Sequence, residues 1–122
     1  MDKFEALYSF WSSFGIPAFE ENSVPTGDDY PDYPYITYEV ATGGFNSAIS
    51  VNGYIWTRSN SWEEADEITE EIATRLKYGG ELYPYDGGSL WITAQDNFAS
   101  NMGDYTDNMI KRKVLNVTLN YS

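Results

Sequence analysis

Few residues of this chain could do chemistry. Its 122 residues include no histidine and no cysteine. Without histidine, the usual general base near neutral pH is missing, and so is any nucleophile that a histidine would activate. Without cysteine, neither disulfides nor thiolate metal sites can form. Asp28, Asp29 and Asp32 could supply paired carboxylates, but their proline-rich setting shows no sign of the burial that would separate their pKa values, and their spacing matches no ion-binding loop. We therefore expect no catalytic residue, no cofactor and no bound metal, in a protein that is not an enzyme.

The basic residues are concentrated at one place. Lys111, Arg112 and Lys113 are three of only seven basic residues. If they begin a strand, alternation places Lys111 and Lys113 on one face and Arg112 on the other. One interpretation is a strand entrance protected by charge. The other is a basic patch that meets the acidic surface of an identical neighbour, and such head-to-tail contacts close into rings when the rotation permits.

Aromatic residues make up 17% of the chain, and many come early. Tyr30, Tyr33 and Tyr35 lie in a proline-punctuated segment that is too irregular to be all core. Tyrosine and tryptophan are enriched in protein interfaces, although the same rings could simply close over one side of a sheet. Phe98 and Met102 are the clearly apolar side chains of a polar stretch at residues 95–108. These five residues, with the basic cluster, are our candidate interface residues.

The net charge of −12 restricts the partners. A chain with so few cations is expected to repel DNA unless its basic residues cluster, and anionic membrane surfaces are unfavourable for the same reason. No stretch approaches the length of a membrane span, and the acidic start of the chain does not resemble a signal peptide, so we expect a product made in the cytoplasm of its host.

Hydrophobic periodicity predicts a single domain over residues 1–122 with six elements in the order α-β-β-α-β-β. Gly43 and Gly44 mark a turn between the first two strands, and Gly53 indicates a bulge or a close backbone approach. Ser61 and Glu64 predict a capping box at the start of the second helix. The final strand is expected to be the longest and central. The predicted elements are residues 3–14, 36–40, 47–58, 61–78, 90–94 and 109–122.

Several stretches together resemble a known family. They are FWSSFGIPAFEENSVP, YPYITYEV, RSNSWEEADEITEEI, DGGSLWI, NFASNM and KRKVLNVTLNY, which cover nearly the whole chain in order. In this the chain resembles small tail-terminator or tail-completion proteins of long-tailed phages and prophages of Gram-positive bacteria. One departure is the acidic character of the stretch before the last strand, with Asp96, Asp104 and Asp107, where the family is expected to be more basic.

The resemblance implies an α+β fold, with two helices packed on one face of a mainly antiparallel sheet of four to five strands. It also implies a structural protein of the virion: a ring, commonly a hexamer, that caps the finished tail tube and joins it to the head. The partners would be other copies of the chain, the tube protein and a head-closure or connector protein, while DNA passes through without specific binding and no membrane is involved.

Two other functions remain open at this stage. The acidic charge is also typical of a DNA mimic that inhibits a nucleic-acid-binding enzyme, although many of the acids fall on one predicted helix. The tyrosines and tryptophans are also typical of a carbohydrate-binding module, which an intracellular location disfavours.

Overall fold

The computed structural model describes residues 1–41, 48–103 and 106–122, so the predicted turn at Gly43 and Gly44 lies outside the described residues. Within them are two α-helices and six strands, with short 3₁₀ turns at Ser12–Phe14 and Gly27–Asp29. The elements are α1 Lys3–Trp11, β1 Ala18–Glu20, β2 Tyr35–Tyr38, β3 Ala48–Arg58, α2 Glu63–Leu76, β4 Glu81–Tyr85, β5 Gly88–Gly103 and β6 Ile110–Tyr121.

The described strands form a six-stranded mixed sheet in the order β1-β2-β3-β6-β5-β4. Only β1 and β2 pair in parallel, and the other neighbours are antiparallel. The expectation of an α+β fold with four to five strands in the order α-β-β-α-β-β was wrong, because the chain is mainly sheet and both outer strands were missed. β1 has only three residues, too few for alternation to be recognised, and β4 contains Pro84, which argues against a strand.

The stretch at residues 95–108 was also assigned wrongly. β5 does not end at Ala94 but continues to Gly103, with an irregularity between Ala94 and Ala99. The turn-forming residues of this stretch misled the prediction, because pairing with β6 holds the backbone extended whatever its local preference. β6 is central, as predicted, but β5 is the longest strand, with 16 residues against 12.

The expected capping box on α2 does not form. The helix begins at Glu63, and its N-cap, Trp62, makes no capping bond through its side chain. Ser61 Oγ accepts a weak hydrogen bond from Glu63 N at 3.4 Å. Because the helix starts one residue later than predicted, Glu64 is not at the third helical position that the motif requires. A capping box does form on α1, between Asp2 and Glu5.

Both helices pack on the same face of the sheet, which we name the covered face. Gly53 explains how closely α1 approaches: a Cβ built on it would lie 2.4 Å from the Trp11 ring. The close approach predicted at Gly53 is therefore confirmed, and its cause is the indole of α1. The fully buried residues of this core include Leu7, Phe10, Trp11, Ile36, Ile55, Ile72, Leu90, Ile92, Leu115, Val117 and Leu119.

The opposite face, which we name the open face, carries no helix among the described elements. Residues that alternate with the core point to it, as the pairs Tyr35 with Trp56 and Trp56 with Arg112 indicate. None of the described helices is long and apolar enough to cross a membrane. The open face is therefore the broad surface of the sheet on which a functional site can be sought.

Candidate functional site

The open face carries a group of aromatic rings around one arginine. Tyr35 of β2, Tyr54 and Trp56 of β3, and Arg112 of β6 lie side by side across neighbouring strands. Tyr30 and Tyr33 join them from the segment that leads into β2. We name this group of six residues the aromatic–arginine patch. Its members come from three different strands and a loop, so only the folded sheet brings them together.

The centre of the patch is a stack of three flat side chains. The rings of Tyr35 and Trp56 lie 5.9 Å apart at an angle of 11°. The Arg112 guanidinium lies 4.7 Å from the Trp56 ring centroid and 5.7 Å from that of Tyr54. A guanidinium at this distance is attracted to the face of an indole, and the contact holds both groups in place. Trp56 Nε1 also donates to Thr37 Oγ1 at 2.9 Å, which fixes the ring orientation.

The patch has a buried base and an exposed rim. Tyr35 is 2% exposed, whereas Tyr30 is 52% exposed, and their hydroxyl oxygens lie 3.0 Å apart. Burial, and then the hydrogen bond with Tyr30, raise the pKa of Tyr35 above its ordinary value. The Tyr33 ring lies 5.5 Å from that of Tyr35. A rigid, partly desolvated base under an exposed tyrosine is the arrangement that protein interfaces favour at their centre.

Two depressions flank the Arg112–Trp56 pair. One, of about 350 Å³, is bounded by Glu21 and Tyr30 on the side of β2. The other, of about 710 Å³, is bounded by Met102 and Ile110 on the side of β5. Arg112 also contacts the Met102 sulfur. The surface is thus grooved rather than flat, and it can receive side chains from a partner on both sides of the arginine.

The charges at this corner are unevenly satisfied. Four of the seven basic residues lie where β3 ends and β6 begins: Arg58, Lys111, Arg112 and Lys113. Arg58 pairs with Asp107 at 3.0 Å, and Lys113 pairs with Asp66 at 2.6 Å. Among the described residues, no carboxylate lies within ion-pair distance of Arg112. Lys111 likewise makes no ion pair among the described residues, but it points to the covered face. Arg112 is therefore the cation on the open face of this corner that can meet an acidic group from outside.

The structure separates the eight candidate interface residues. Five of them lie on or beside the patch: Tyr30, Tyr33, Tyr35, Met102 and Arg112. The other three point to the covered side of the sheet: Phe98, Lys111 and Lys113.

Each of those three has a partner within the chain. Phe98 lies in the irregular part of β5 and packs against the core. Lys113 is 12% exposed at its side chain, and Lys111 and Lys113 both lie over the Trp62 ring. The alternation predicted for the basic cluster is confirmed, and the two lysines belong to the covered face.

The site prediction missed two members of the patch, Tyr54 and Trp56. Alternation along residues 47–58 places both on the face away from the core, so the signal was present. The sequence did not show that Arg112 would lie beside Trp56, because these two residues are 56 positions apart in the chain and meet only through β3–β6 pairing.

A second distinctive surface is the outer side of α2. Its exposed acids are Glu63, Glu64, Asp66, Glu67, Glu70 and Glu71, and no basic residue occurs on the helix before Arg75. Among the described residues, no three acidic side chains converge closely enough to hold a metal ion. This surface, the acidic helix face, is therefore a solvated field of negative charge rather than a coordination site.

Comparison with known proteins adds no assignment. No protein-family model matches the chain, and no curated protein matches it. The functional argument consequently depends on the geometry of the open face and on the pattern of the sequence.

Proposed function

We propose that this protein is a structural subunit of a phage tail, which forms a homo-oligomeric ring that caps the tail tube and joins it to the head. The observation that carries the proposal is the Tyr35–Trp56–Arg112 stack on a sheet face that no described helix covers. The resemblance of the sequence to tail-terminator proteins gives this surface its biological setting.

The composition of the patch suits association with another protein chain. Tyrosine, tryptophan, arginine and methionine are enriched at interface centres, while acidic residues are depleted there. The patch follows this pattern in a chain whose acids outnumber its bases by 19 to 7. Copies carrying a charge of −12 repel one another at long range, so their association must depend on short-range contacts of this kind.

The acidic helix face suits another part of the same role. DNA must move through the junction between head and tail without adhering to it. A surface rich in carboxylates repels phosphates, and Glu63, Glu67 and Glu70 provide such a surface. In this proposal the acidic helix face lies away from the contacts between copies, and DNA passes the ring without specific binding.

The test is the mass of the protein in solution, followed by its behaviour with tail tubes. We expect the mass to rise with protein concentration, and to rise further at 0.5 M salt, at a Debye length of roughly 4 Å, because salt screens repulsion between the acidic copies. Tubes assembled from the tube protein of the same genome should acquire rings at their ends. A chain that stays monomeric at all concentrations and leaves tube ends bare would refute the proposal.

One observation favours a second candidate function, that of an acidic DNA mimic. The exposed acids of α2 follow one another without an intervening base from Glu63 to Glu71. A mimic would bind a DNA-binding enzyme through charge, so its binding should weaken steeply as salt rises. Ring formation should respond to salt in the opposite direction, and one salt titration therefore separates the two functions.

A further inference from the structure

Half of β5 has a strand neighbour on only one side. β4 pairs with β5 from Gly88 to Ile92 and ends there. From Ala99 to Gly103, β5 pairs with β6 on its inner side. No described strand lies on its outer side over that length. We name the segment from Ala99 to Gly103 the free half of β5. Its outer backbone groups form an edge that can accept another strand.

The free half of β5 lacks the features that normally protect an edge. Residues 99–103 read ASNMG and include no charged residue and no proline. The outer strand β4 differs from it, because β4 contains Glu81 and Pro84. β1, the other outer strand, is a short edge of three residues whose last residue, Glu20, disfavours pairing with a second β1 but not with an uncharged edge. Exposed edges are usually kept from pairing by charge, by proline or by short length. An edge of the free half's length and composition is therefore suited to pairing.

The register of the sheet shows which strand would fit. Following the paired residues across the sheet from the free half leads to β1 at the opposite edge. Asn101 lies in one row with Lys113, Ile55, Ile36 and Ala18. Ala99 lies in one row with Leu115, Gly53, Tyr38 and Glu20. β1 and the free half thus occupy the same level of the sheet, about 19 Å apart at the usual strand spacing.

The strand directions also agree. β5 is antiparallel to β6, which is antiparallel to β3, so β5 runs with β3 and against β2 and β1. A second copy placed beside the first in the same orientation would therefore bring its β1 antiparallel to the free half, without sliding along the strands. Antiparallel pairing is already the dominant pattern in this sheet.

The outward groups of β1 are placed for such a contact. Ile36 N donates to Pro17 O and Glu21 N donates to Tyr38 O, so residues 17, 19 and 21 turn towards β2. The backbone groups of Ala18 and Glu20 consequently turn outwards. Glu20 O already accepts a hydrogen bond from Ser23 N at 2.9 Å, so the groups left for a partner strand are those of Ala18 and the N–H of Glu20. Pairing of two β1 edges with each other would bring their Glu20 and Glu21 side chains together, which like charge disfavours. Pairing of β1 with the uncharged free half has no such cost.

We propose that β1 of one copy adds as a strand to the free half of β5 in the next copy, so that one sheet continues from subunit to subunit; this inference rests on the proposed ring. Phe19 of the incoming strand then lies opposite Ser100 and diagonal to Met102, beside the depression at Arg112. The contact joins two different edges, which makes it heterologous, and a heterologous contact closes into a ring when the rotation between neighbouring copies permits.

Cysteine cross-linking tests the proposal directly, because the chain has no cysteine of its own. Glu20→Cys and Ala99→Cys should lie directly opposite, with their Cα atoms about 4.5–5.5 Å apart, within the range of a disulfide. Mixing the two single variants under oxidation should give a disulfide-linked dimer in most of the protein, and the double variant should give a ladder that ends at the ring size. Glu20→Cys with Asn101→Cys, two residues out of register, is the matched control and should link at least tenfold less.

Hydrogen exchange provides a second measurement. It uses the unmodified protein, so a folding defect caused by a substitution cannot affect the result. Amides of Ala18, Glu20 and the free half should exchange at least tenfold more slowly in the oligomer than in the dilute monomer. A ring that forms without the cross-link and without this protection overturns the strand pairing but leaves the proposed function standing. A mass that stops at the dimer indicates two-fold β5–β5 pairing and overturns the inference. A permanent monomer overturns both.

Discussion

Trp11 and Trp56 lie on opposite faces of the same sheet and have different surroundings. On the covered face, Trp11 is fully buried, and its ring occupies the space that a side chain at position 53 would need. On the open face, Trp56 is only partly buried and lies between Tyr35 and Arg112. The first indole completes a core within the chain, whereas the second has one side that still faces solvent.

Lys113 and Arg112 repeat this contrast in adjacent residues. Lys113 points to the covered face and pairs with Asp66 of α2, while Arg112 points to the open face and stacks on aromatic rings. The two faces therefore differ in how far their groups are satisfied within the chain. The covered face has its partners in the helices, and the open face presents groups whose remaining partners would come from another molecule.

Replacing each tryptophan by alanine should separate stability from assembly most strongly. Trp11→Ala should lower the free energy of unfolding by about 3–5 kcal/mol, because it leaves a large cavity in the core. Trp56→Ala should cost less than about 2 kcal/mol, since its ring is only partly buried. It should nevertheless weaken self-association at least tenfold. Urea unfolding and sedimentation measure the two effects.

Trp91→Ala is the matched control for this comparison. Trp91 is 47% exposed and lies on the open face near β4, away from the patch. Its replacement should leave self-association within about twofold of the unmodified protein. If Trp91→Ala weakens association as much as Trp56→Ala, the patch has no special role and the whole open face is the contact.

Much of the covered face could be predicted from the sequence. The hydrophobic periodicity of α2, β3 and β6 is a strong signal, because a buried face imposes its period on the residues that form it. β1 left no such signal because it has only three residues, and β4 was hidden because Pro84 interrupts its run. The continuation of β5 beyond Ala94 was hidden for another reason: its turn-forming residues are held extended by β6, an effect of tertiary contacts.

The open face was predictable only in part. The early tyrosines and Arg112 were identified from composition and clustering, and they do lie together. Their grouping with Trp56 depends on the pairing of β6 with β3 rather than with another strand, and local sequence does not determine that choice. The contacts of Lys111 and Lys113 were equally hidden from the sequence. Only the position of α2 over β6 shows that Lys113 pairs with Asp66 and that both lysines lie over the Trp62 ring.

The loss of stability at alkaline pH compares how strongly the two faces exclude water from their tyrosines. Burial raises the pKa of Tyr38 on the covered face to about 12, and it also raises that of Tyr35 on the open face. The folded state therefore keeps both protons when the unfolded chain, with a tyrosine pKa near 10, has lost them. This stabilisation is fully present below pH 10 and is lost as the pH rises towards 12. For Tyr38 the loss in the free energy of unfolding is on the order of 2 kcal/mol.

Urea unfolding at pH 8, 10 and 11.5 measures this loss. Tyr38→Phe and Tyr35→Phe should each reduce it, by similar amounts if the base of the patch is as dry as the core. A Tyr35→Phe variant with the same alkaline loss as the unmodified protein would show that water reaches the base of the patch. Tyr78→Phe, at a position 86% exposed, is the control and should change nothing.

The smallest expected effect distinguishes Lys113 from Arg112. The Lys113–Asp66 pair is short, but the Asp66 side chain is 54% exposed, so a double-mutant cycle with alanine should give a coupling of only about 0.5 kcal/mol. Lys113→Ala should therefore lower stability slightly and leave self-association unchanged. Arg112→Ala should change stability by less than about 0.5 kcal/mol but weaken association at least tenfold, because its guanidinium is the unpaired cation of the patch. Equal loss of association in both variants would mean that the contact between copies extends to the covered face. The assignment of stability to the covered face and association to the open face would then be wrong where β6 begins.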